Sequence, residues 1–146
     1  MFNLENIIDG ELFKFKLDAN YSELIKLDLI NYQKPKDSIS NISINLEKKK
    51  ENINIKEIKF VEGNNLIFAE DIKLDKNKFL SLKKISVKTN KNGKKNNDFS
   101  ILYGKKISVI GTQFDATNFP KILNQKSAKN NFIKIKKNIE IDFANI

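Results

Sequence analysis

Short stretches in which apolar and polar residues alternate recur through most of this chain, and this pattern constrains its fold more than any other feature. Residues 13–17 alternate Phe or Leu with Lys, and residues 42–46 alternate Ile or Leu with Ser and Asn. A period of two places successive side chains on opposite faces of a β-strand, whereas a helix needs a period near 3.6. The chain is therefore predicted to be mainly β, with one apolar face on each strand.

Turn signals and shifts of phase divide the pattern into about eight or nine strands. Asp9-Gly10 and Glu62-Gly63 are typical of tight turns. The apolar phase changes at Lys56-Glu57 and again at Lys83-Lys84, where a β-bulge would return the apolar side chains to one face. Strands joined by short turns pair antiparallel, so we expect an antiparallel meander. Its predicted form is a curved open sheet or groove, and the alternative is a sandwich that covers its own apolar face.

Two segments fit this scheme less clearly. Residues 21–32 match a helix in part, but Leu27 and Leu29 on either side of Asp28 favour a strand. The following segment, residues 32–37, contains Pro35, which lacks a donor for a central strand. It is predicted to be a loop.

A different pattern spans residues 107–123. It begins as a strand and reaches Gly111, a residue that enters tight backbone conformations without steric cost. Phe114 and Asp115 are then predicted to close a turn. The polar residues that follow them can cap a short helix, which is predicted near 117–124. Residues 132–146 return to alternation and are predicted to form a long strand.

The composition removes most familiar catalytic chemistry. The chain has no cysteine and no histidine, which excludes thiol nucleophiles, thiolate or imidazole metal ligands and histidine-assisted triads. No glycine loop of the GxxxxGK type is present. Asp115 stands without a second carboxylate nearby in sequence, and one carboxylate is a poor metal or acid–base site. We expect no enzyme activity, no catalytic residues, no metal and no cofactor.

The net charge of +9 raises the possibility of a nucleic-acid partner. All 27 basic residues are lysine, however, and the arginine fork that grips phosphate and reads guanine is missing. Residues 73–106 carry much of the positive charge. Nucleic acid is therefore not expected as a partner, and a basic β-rich module for polyanions remains an alternative.

The sequence contains no run of about 20 apolar residues that would span a bilayer. Its first residues, MFNLENIIDG, lack the basic and apolar regions of a signal peptide. These features predict a soluble cytoplasmic chain if residue 1 is a true start. They do not apply if the chain is a segment of a longer protein.

Two stretches carry a resemblance to a known family. Residues 27–46, LDLINYQKPKDSISNISINL, resemble a pattern in which a strand leads to an aromatic-x-Lys-Pro loop and then to an alternating strand. Residues 107–123, ISVIGTQFDATNFPKIL, resemble the later strand, glycine, Phe-Asp and short-helix unit of the same pattern. The chain is similar in this way to the AsmA-like, YhdP-type group of bacterial envelope proteins, over roughly residues 11–146.

The resemblance implies a fold and a function. Proteins of this group are similar in plan to bridge-like lipid transfer proteins, with an inner-membrane anchor and a periplasmic β-sheet groove implicated in phospholipid transport and outer-membrane biogenesis. Residues 1–146 would be one β-rich segment of such a protein. The family has no catalytic residues to transfer to this chain.

The resemblance also implies which residues would face lipid. The partners would be phospholipid acyl chains, and contact with the membrane would be made by other parts of the parent protein. Gly111, Phe114 and Asp115 would be turn-formers rather than a site. The alternating apolar residues would line the groove, although an ordinary protein core would produce the same alternation. The lipid-facing candidates are Ile42, Ile44, Leu46, Ile139, Ile141 and Phe143.

Overall fold

The computed structural model describes residues 1–118, 120–121 and 136–145. Within these ranges the chain forms twelve β-strands and one 3₁₀ turn at Asp28–Ile30. The prediction of a mainly β chain is confirmed. The strands are β1 (Phe2–Asp9), β2 (Leu12–Tyr21), β3 (Ile25–Leu27), β4 (Tyr32–Lys34), β5 (Ser40–Lys49), β6 (Asn52–Glu62), β7 (Asn65–Asp75), β8 (Lys78–Ser81), β9 (Lys84–Lys91), β10 (Lys94–Tyr103), β11 (Ile107–Gln113) and β12 (Ile139–Asn145).

Ten of these strands form one sheet, and β3 and β4 pair separately with each other. The order across the sheet is β1-β2-β5-β6-β7-β9-β10-β11-β12, and β8 also pairs with β7. In the described part of the chain β1 and β12 lie at opposite edges without pairing, so the predicted open sheet is confirmed.

The last strand pair departs from the predicted meander. β12 pairs parallel to β11, whereas the other described pairs are antiparallel. A parallel pair needs a crossover connection of about a dozen residues or more, and the chain between β11 and β12 is long enough to supply it. The antiparallel prediction is therefore wrong for β12.

The first predicted bulge is present. Asn45 pairs with Glu57 and Leu46 pairs with Ile55, which leaves Lys56 as the extra residue opposite β5. This extra residue keeps Ile55 and Ile58 on one face despite their odd spacing.

The second phase shift is a strand break rather than a bulge. β8 ends at Ser81 and β9 begins at Lys84, while the backbone N–H of Lys83 donates to the carbonyl oxygen of Glu70 on β7 at 3.1 Å. On β7, Asp71 adopts a left-handed conformation with φ of 56°. Strands β8 and β9 therefore share β7 as a partner, and the break restores the apolar phase.

Strands β3 and β4 and the 3₁₀ turn between them form a strap, defined as residues 25–34, that crosses one face of the sheet. Ile30 and Tyr32 of the strap pack against Val87 and Phe99 to form the buried cluster of the molecule. The rings of Tyr32 and Phe60 meet edge to face at 5.9 Å. The predicted strand in 21–32 is thus replaced by β3 and the 3₁₀ turn, and the predicted loop at 32–37 begins with strand β4.

The segment from Gly111 onward differs from expectation in one respect. Gly111 lies within β11, so the prediction of a turn there is wrong. An added Cβ at Gly111 would lie 2.6 Å from the Cα of Phe99, so glycine is needed for the close approach of β10.

The structure describes only part of two later segments for which the sequence makes predictions. Of the helix expected near 117–124, only residues 120 and 121 have described helical backbone, and 119 and 122–124 lie outside the described residues. The long strand expected at 132–146 corresponds to β12, while 132–135 and 146 also lie outside them.

Candidate functional site

Two rows of apolar residues cross nine strands on the same face of the sheet. Side chains of directly paired residues lie on the same face, so the register traces each row from edge to edge. The first row is Phe2, Ala19, Ile42, Phe60, Ile67, Val87, Phe99, Gly111 and Phe143. The second row is Leu4, Leu17, Ile44, Ile58, Ala69, Ile85, Ile101, Val109 and Ile141. Nine strands are separated by eight spacings of about 4.8 Å, so this apolar face is roughly 38 Å wide.

All six lipid-facing candidates lie on this apolar face. Ile42 and Phe143 belong to the first row, and Ile44 and Ile141 belong to the second. The other two candidates extend the rows, because Leu46 pairs with Ile55 on β6 and Ile139 pairs with Ile107 on β11. The structure therefore brings candidates that are about 100 residues apart in sequence onto one continuous surface.

Little of the apolar face is covered by the described chain. The buried apolar residues of the described ranges are Ile30, Tyr32, Val87, Phe99 and Ile107. Four of these five form the cluster between the strap and the sheet. Towards the two edges the face is open, with Phe2 72% and Ile141 64% exposed. Most of the apolar face thus has no second protein layer in the part of the chain that the structure describes.

Three phenylalanine rings pack together where β10, β12 and the segment after β11 meet. The ring of Phe99 lies edge to face with Phe114 at 5.4 Å and with Phe143 at 5.9 Å, and Phe114 stacks on Phe143 at 5.7 Å. Aromatic pairs at these separations are favourable beyond the area that they bury. Phe114, predicted as a turn residue, is therefore a packing residue that helps to cover the first row.

At the strap end, the apolar face changes into a buried polar network. Asn97 is fully buried, and its side-chain amide donates to the carbonyl oxygen of Ile30 at 2.7 Å and to the Thr89 hydroxyl at 2.8 Å. Its side-chain oxygen accepts from the backbone N–H of Asp115 at 2.9 Å. One asparagine therefore joins the strap, the β9–β10 hairpin and the segment after β11.

Asp115 is the charged member of this network. Its carboxylate accepts hydrogen bonds from the side-chain amides of Asn31 at 2.8 Å and Asn96 at 3.2 Å, and from the Thr117 hydroxyl at 2.6 Å and backbone N–H at 3.1 Å. Burial acts to raise the pKa of Asp115, but these hydrogen bonds stabilise the anion and lower the pKa to about 2. The carboxylate therefore links the segment after β11 to Asn31 and Asn96.

Lys34 is fully buried at the end of the strap. Its ammonium group donates to the carbonyl oxygens of Ser22 at 2.9 Å, Glu23 at 2.9 Å and Pro35 at 3.0 Å. These three acceptors use all three donors of a lysine. Lys34 therefore fastens the strap to the segment that leaves β2.

Sequence reasoning did not identify Lys34, Thr89 or Asn97. The signal for the last two was present, because each is a polar residue at an apolar position of the alternation on β9 or β10. A polar residue in an apolar phase indicates a buried hydrogen-bonding partner. Lys34 is the lysine of the aromatic-x-Lys-Pro pattern, but neither charge nor alternation distinguishes it as buried among the many exposed lysines.

The lysine-rich segment 73–106 does not combine its charges with stacking rings. Lys84 and Lys88 alternate with Ile85 and Val87 on β9 and so lie on the opposite face. The three aromatic residues of the segment are engaged with other rings on the apolar side: Phe99 in the phenylalanine cluster, and Phe79 with Tyr103 at 5.4 Å. Within the described ranges, no three His, Cys, Asp or Glu side chains group together to hold a metal ion.

Comparison with known proteins finds no matching protein-family model, no matching curated protein and no matching solved structure. Among the described residues, no helix has both the length and the apolar character needed to cross a membrane. The class that the geometry defines is an open β-sheet with one continuous apolar face.

Proposed function

We propose that this chain is a segment of a lipid-binding groove whose apolar face holds phospholipid acyl chains. The observation that carries the proposal is the pair of apolar rows that continue across all nine strands, including the edge strands. A sheet that only needed a core would be expected to have a second layer over such a face. In the described chain the strap covers the face around Val87 and Phe99, and Phe114 packs on Phe99 and Phe143.

The energetics favour a hydrocarbon ligand. Soluble monomers rarely expose apolar patches larger than a few hundred Å². Burial of each 100 Å² of apolar surface contributes about 2.5 kcal/mol. An acyl chain lying across neighbouring strands would cover this area without needing any directional contact, which suits a face that carries few polar groups.

The resemblance to AsmA-like, YhdP-type proteins supports the same proposal. It adds a periplasmic location, an inner-membrane anchor in other parts of a longer parent protein, and a part in phospholipid transport and outer-membrane biogenesis.

Site-specific photo-crosslinking in the native envelope tests the proposal. Ile44 and Ile141 suit this experiment because they belong to the same row but lie six strand pairings apart. We expect phospholipid adducts at both positions. Asn45 and Asp142 are matched controls, because each is the exposed neighbour on the opposite face of the same strand.

Crosslinks only to protein at Ile44 and Ile141 would show that the apolar face is an ordinary packing surface and would overturn the proposal. Equal lipid adducts at the control positions would show general contact with a bilayer instead of a groove. That result would also contradict a one-sided lipid face.

A further inference from the structure

The end of the apolar face farthest from the strap contains a groove of about 520 Å³. Its volume lies within the range typical of ligand sites in proteins. The floor comes from the apolar side chains of β9, β10, β11 and β12, and the rings of Phe79 and Tyr103 meet edge to face at 5.4 Å on one side. Among the described residues, the charged ones that line it are Lys136 and Lys137.

Lys137 lies at the mouth of this groove with neutral partners. Its ammonium group is 4.0 Å from the centre of the Tyr103 ring and donates to the carbonyl oxygen of Gly104. In the described part of the chain neither Lys136 nor Lys137 forms an ion pair. The nearby carboxylate of Glu140 is paired with Lys106.

We infer that this groove binds one acyl chain of an anionic phospholipid and that Lys136 and Lys137 favour its headgroup of net negative charge. The inference rests on the proposed function and adds the class of headgroup to it. Ammonium groups beside an apolar groove complement an amphiphile with one anionic end, since the acyl chain satisfies the apolar lining while the anionic headgroup compensates the two positive charges. A neutral apolar ligand would gain nothing from the two positive charges.

Soluble short-chain lipids test the inference without a bilayer surface. Dihexanoylphosphatidylglycerol and dihexanoylphosphatidylcholine carry the same acyl chains, and only the first has a net negative charge. Binding to the 146-residue chain is measured by calorimetry below the micelle-forming concentration of each lipid. We expect the anionic lipid to bind about tenfold more tightly, which corresponds to roughly one charge-assisted hydrogen bond.

The double substitution Lys136→Gln with Lys137→Gln is expected to remove this preference and to weaken binding of the zwitterionic lipid less, because the choline cation already balances the phosphate of that lipid. The matched control is Lys91→Gln with Lys94→Gln, which removes the same charge from the exposed β9–β10 hairpin. The control chain should keep the preference. Circular dichroism checks that both variants retain the strand content of the wild-type chain.

The outcomes separate the two proposals. Equal binding of both lipids to the wild-type chain would overturn the headgroup inference and leave the lipid groove supported. Equal loss of preference in both double variants would assign the effect to net charge and would also overturn the inference. If neither lipid binds the wild-type chain, the proposed function itself fails. A photo-crosslinker at Val109 that captures residues 122–135 instead of lipid would show that the chain fills its own groove, which contradicts both.

Discussion

At the scale of single residues, Gly111 has the least room for an added side chain among the described glycines. A Cβ built there would lie 2.5 Å from the Cβ of Phe99. Overpacking of this kind costs about 1–3 kcal/mol, so we expect Gly111→Ala to lower the free energy of unfolding by about 2 kcal/mol. Urea denaturation followed by far-ultraviolet circular dichroism measures the change.

Gly104→Ala is the matched control for this prediction. The nearest atom to a Cβ added at Gly104 is the carbonyl oxygen of Lys106 at 3.8 Å, which is an ordinary contact. We expect a change within about 0.5 kcal/mol. Equal destabilisation by the two substitutions would show that the approach of β10 to β11 is not what requires glycine.

Asp115 makes a pH-dependent contribution to stability. Its pKa falls from an ordinary value of 3.8 to about 2 in the folded chain. A lowered folded-state pKa means that the contribution is fully present above about pH 4 and is lost as the pH falls towards about 2. Asp115→Asn removes the anion, so the stability difference between wild type and variant should be largest above pH 4 and should shrink below it.

Unfolding midpoints in urea, measured from about pH 6 to about pH 2, check this window. Above pH 4 we expect Asp115→Asn to cost about 2 kcal/mol, because hydrogen bonds to a charged acceptor are lost. Asp142→Asn, at an exposed position on β12, is the control and should change stability little. A difference for Asp115→Asn that stays constant across the range would contradict the role of the carboxylate charge.

At the scale of elements, the strap depends on one buried lysine. Lys34→Met preserves much of the apolar stem but leaves the carbonyl oxygens of Ser22, Glu23 and Pro35 without their donor. Hydrogen bonds from a charged donor contribute about 1.5–3 kcal/mol each, and we expect the loss of all three to lower the free energy of unfolding by about 3 kcal/mol. Lys34→Met should also accelerate amide hydrogen exchange, and the increase should be larger in the strap than in the central strands.

Lys36→Met is the control, because Lys36 is exposed two residues away. It should leave both the unfolding free energy and the exchange rate of the strap nearly unchanged. If Lys34→Met also leaves the unfolding free energy and the exchange rate unchanged, the three hydrogen bonds do not hold the strap in place.

The irregularities of the central strands are also an element-scale feature. The extra residue Lys56 on β6, the left-handed Asp71 on β7 and the break between β8 and β9 each restore the apolar phase of their own strand. The sequence predicted the first of these from the shift in apolar spacing alone. It could not distinguish a bulge from a strand break at Lys83-Lys84, because both restore the same phase.

At the scale of the whole molecule, the sheet has an unprotected edge. All eight residues of β1 are exposed, and in the described chain no strand pairs with its outer side. Edge strands that are long and apolar promote association between chains. We expect the 146-residue chain to self-associate as its concentration rises, and sedimentation velocity measures this directly.

Leu4→Lys should reduce this self-association, because a lysine on an edge strand opposes pairing with another strand. Leu102→Lys introduces the same change at a comparably exposed residue of an interior strand, with exposures of 37% for Leu102 and 47% for Leu4. It should have a smaller effect. An equal effect of the two substitutions would assign the association to overall charge and not to the edge.

The sequence by itself determined the strand content, the apolar face of most strands and the bulge at Lys56. These features depend on local spacing, because the side chains of a strand alternate whatever strand lies beside it. The six lipid-facing candidates therefore fall on the apolar face of their strands. The alternation also indicated two buried polar residues, because Thr89 and Asn97 occupy apolar positions in residues 85–89 and 97–101.

Only the tertiary structure decided which strands pair, in which direction, and what covers the apolar face. The parallel pairing of β12, the crossing of the strap over Val87 and Phe99, and the close approach at Gly111 each depend on contacts between residues far apart in sequence. Alternation is the same for a parallel or antiparallel partner and for an open or closed sheet. Local pattern could not distinguish these arrangements, because their energies differ only once distant segments meet.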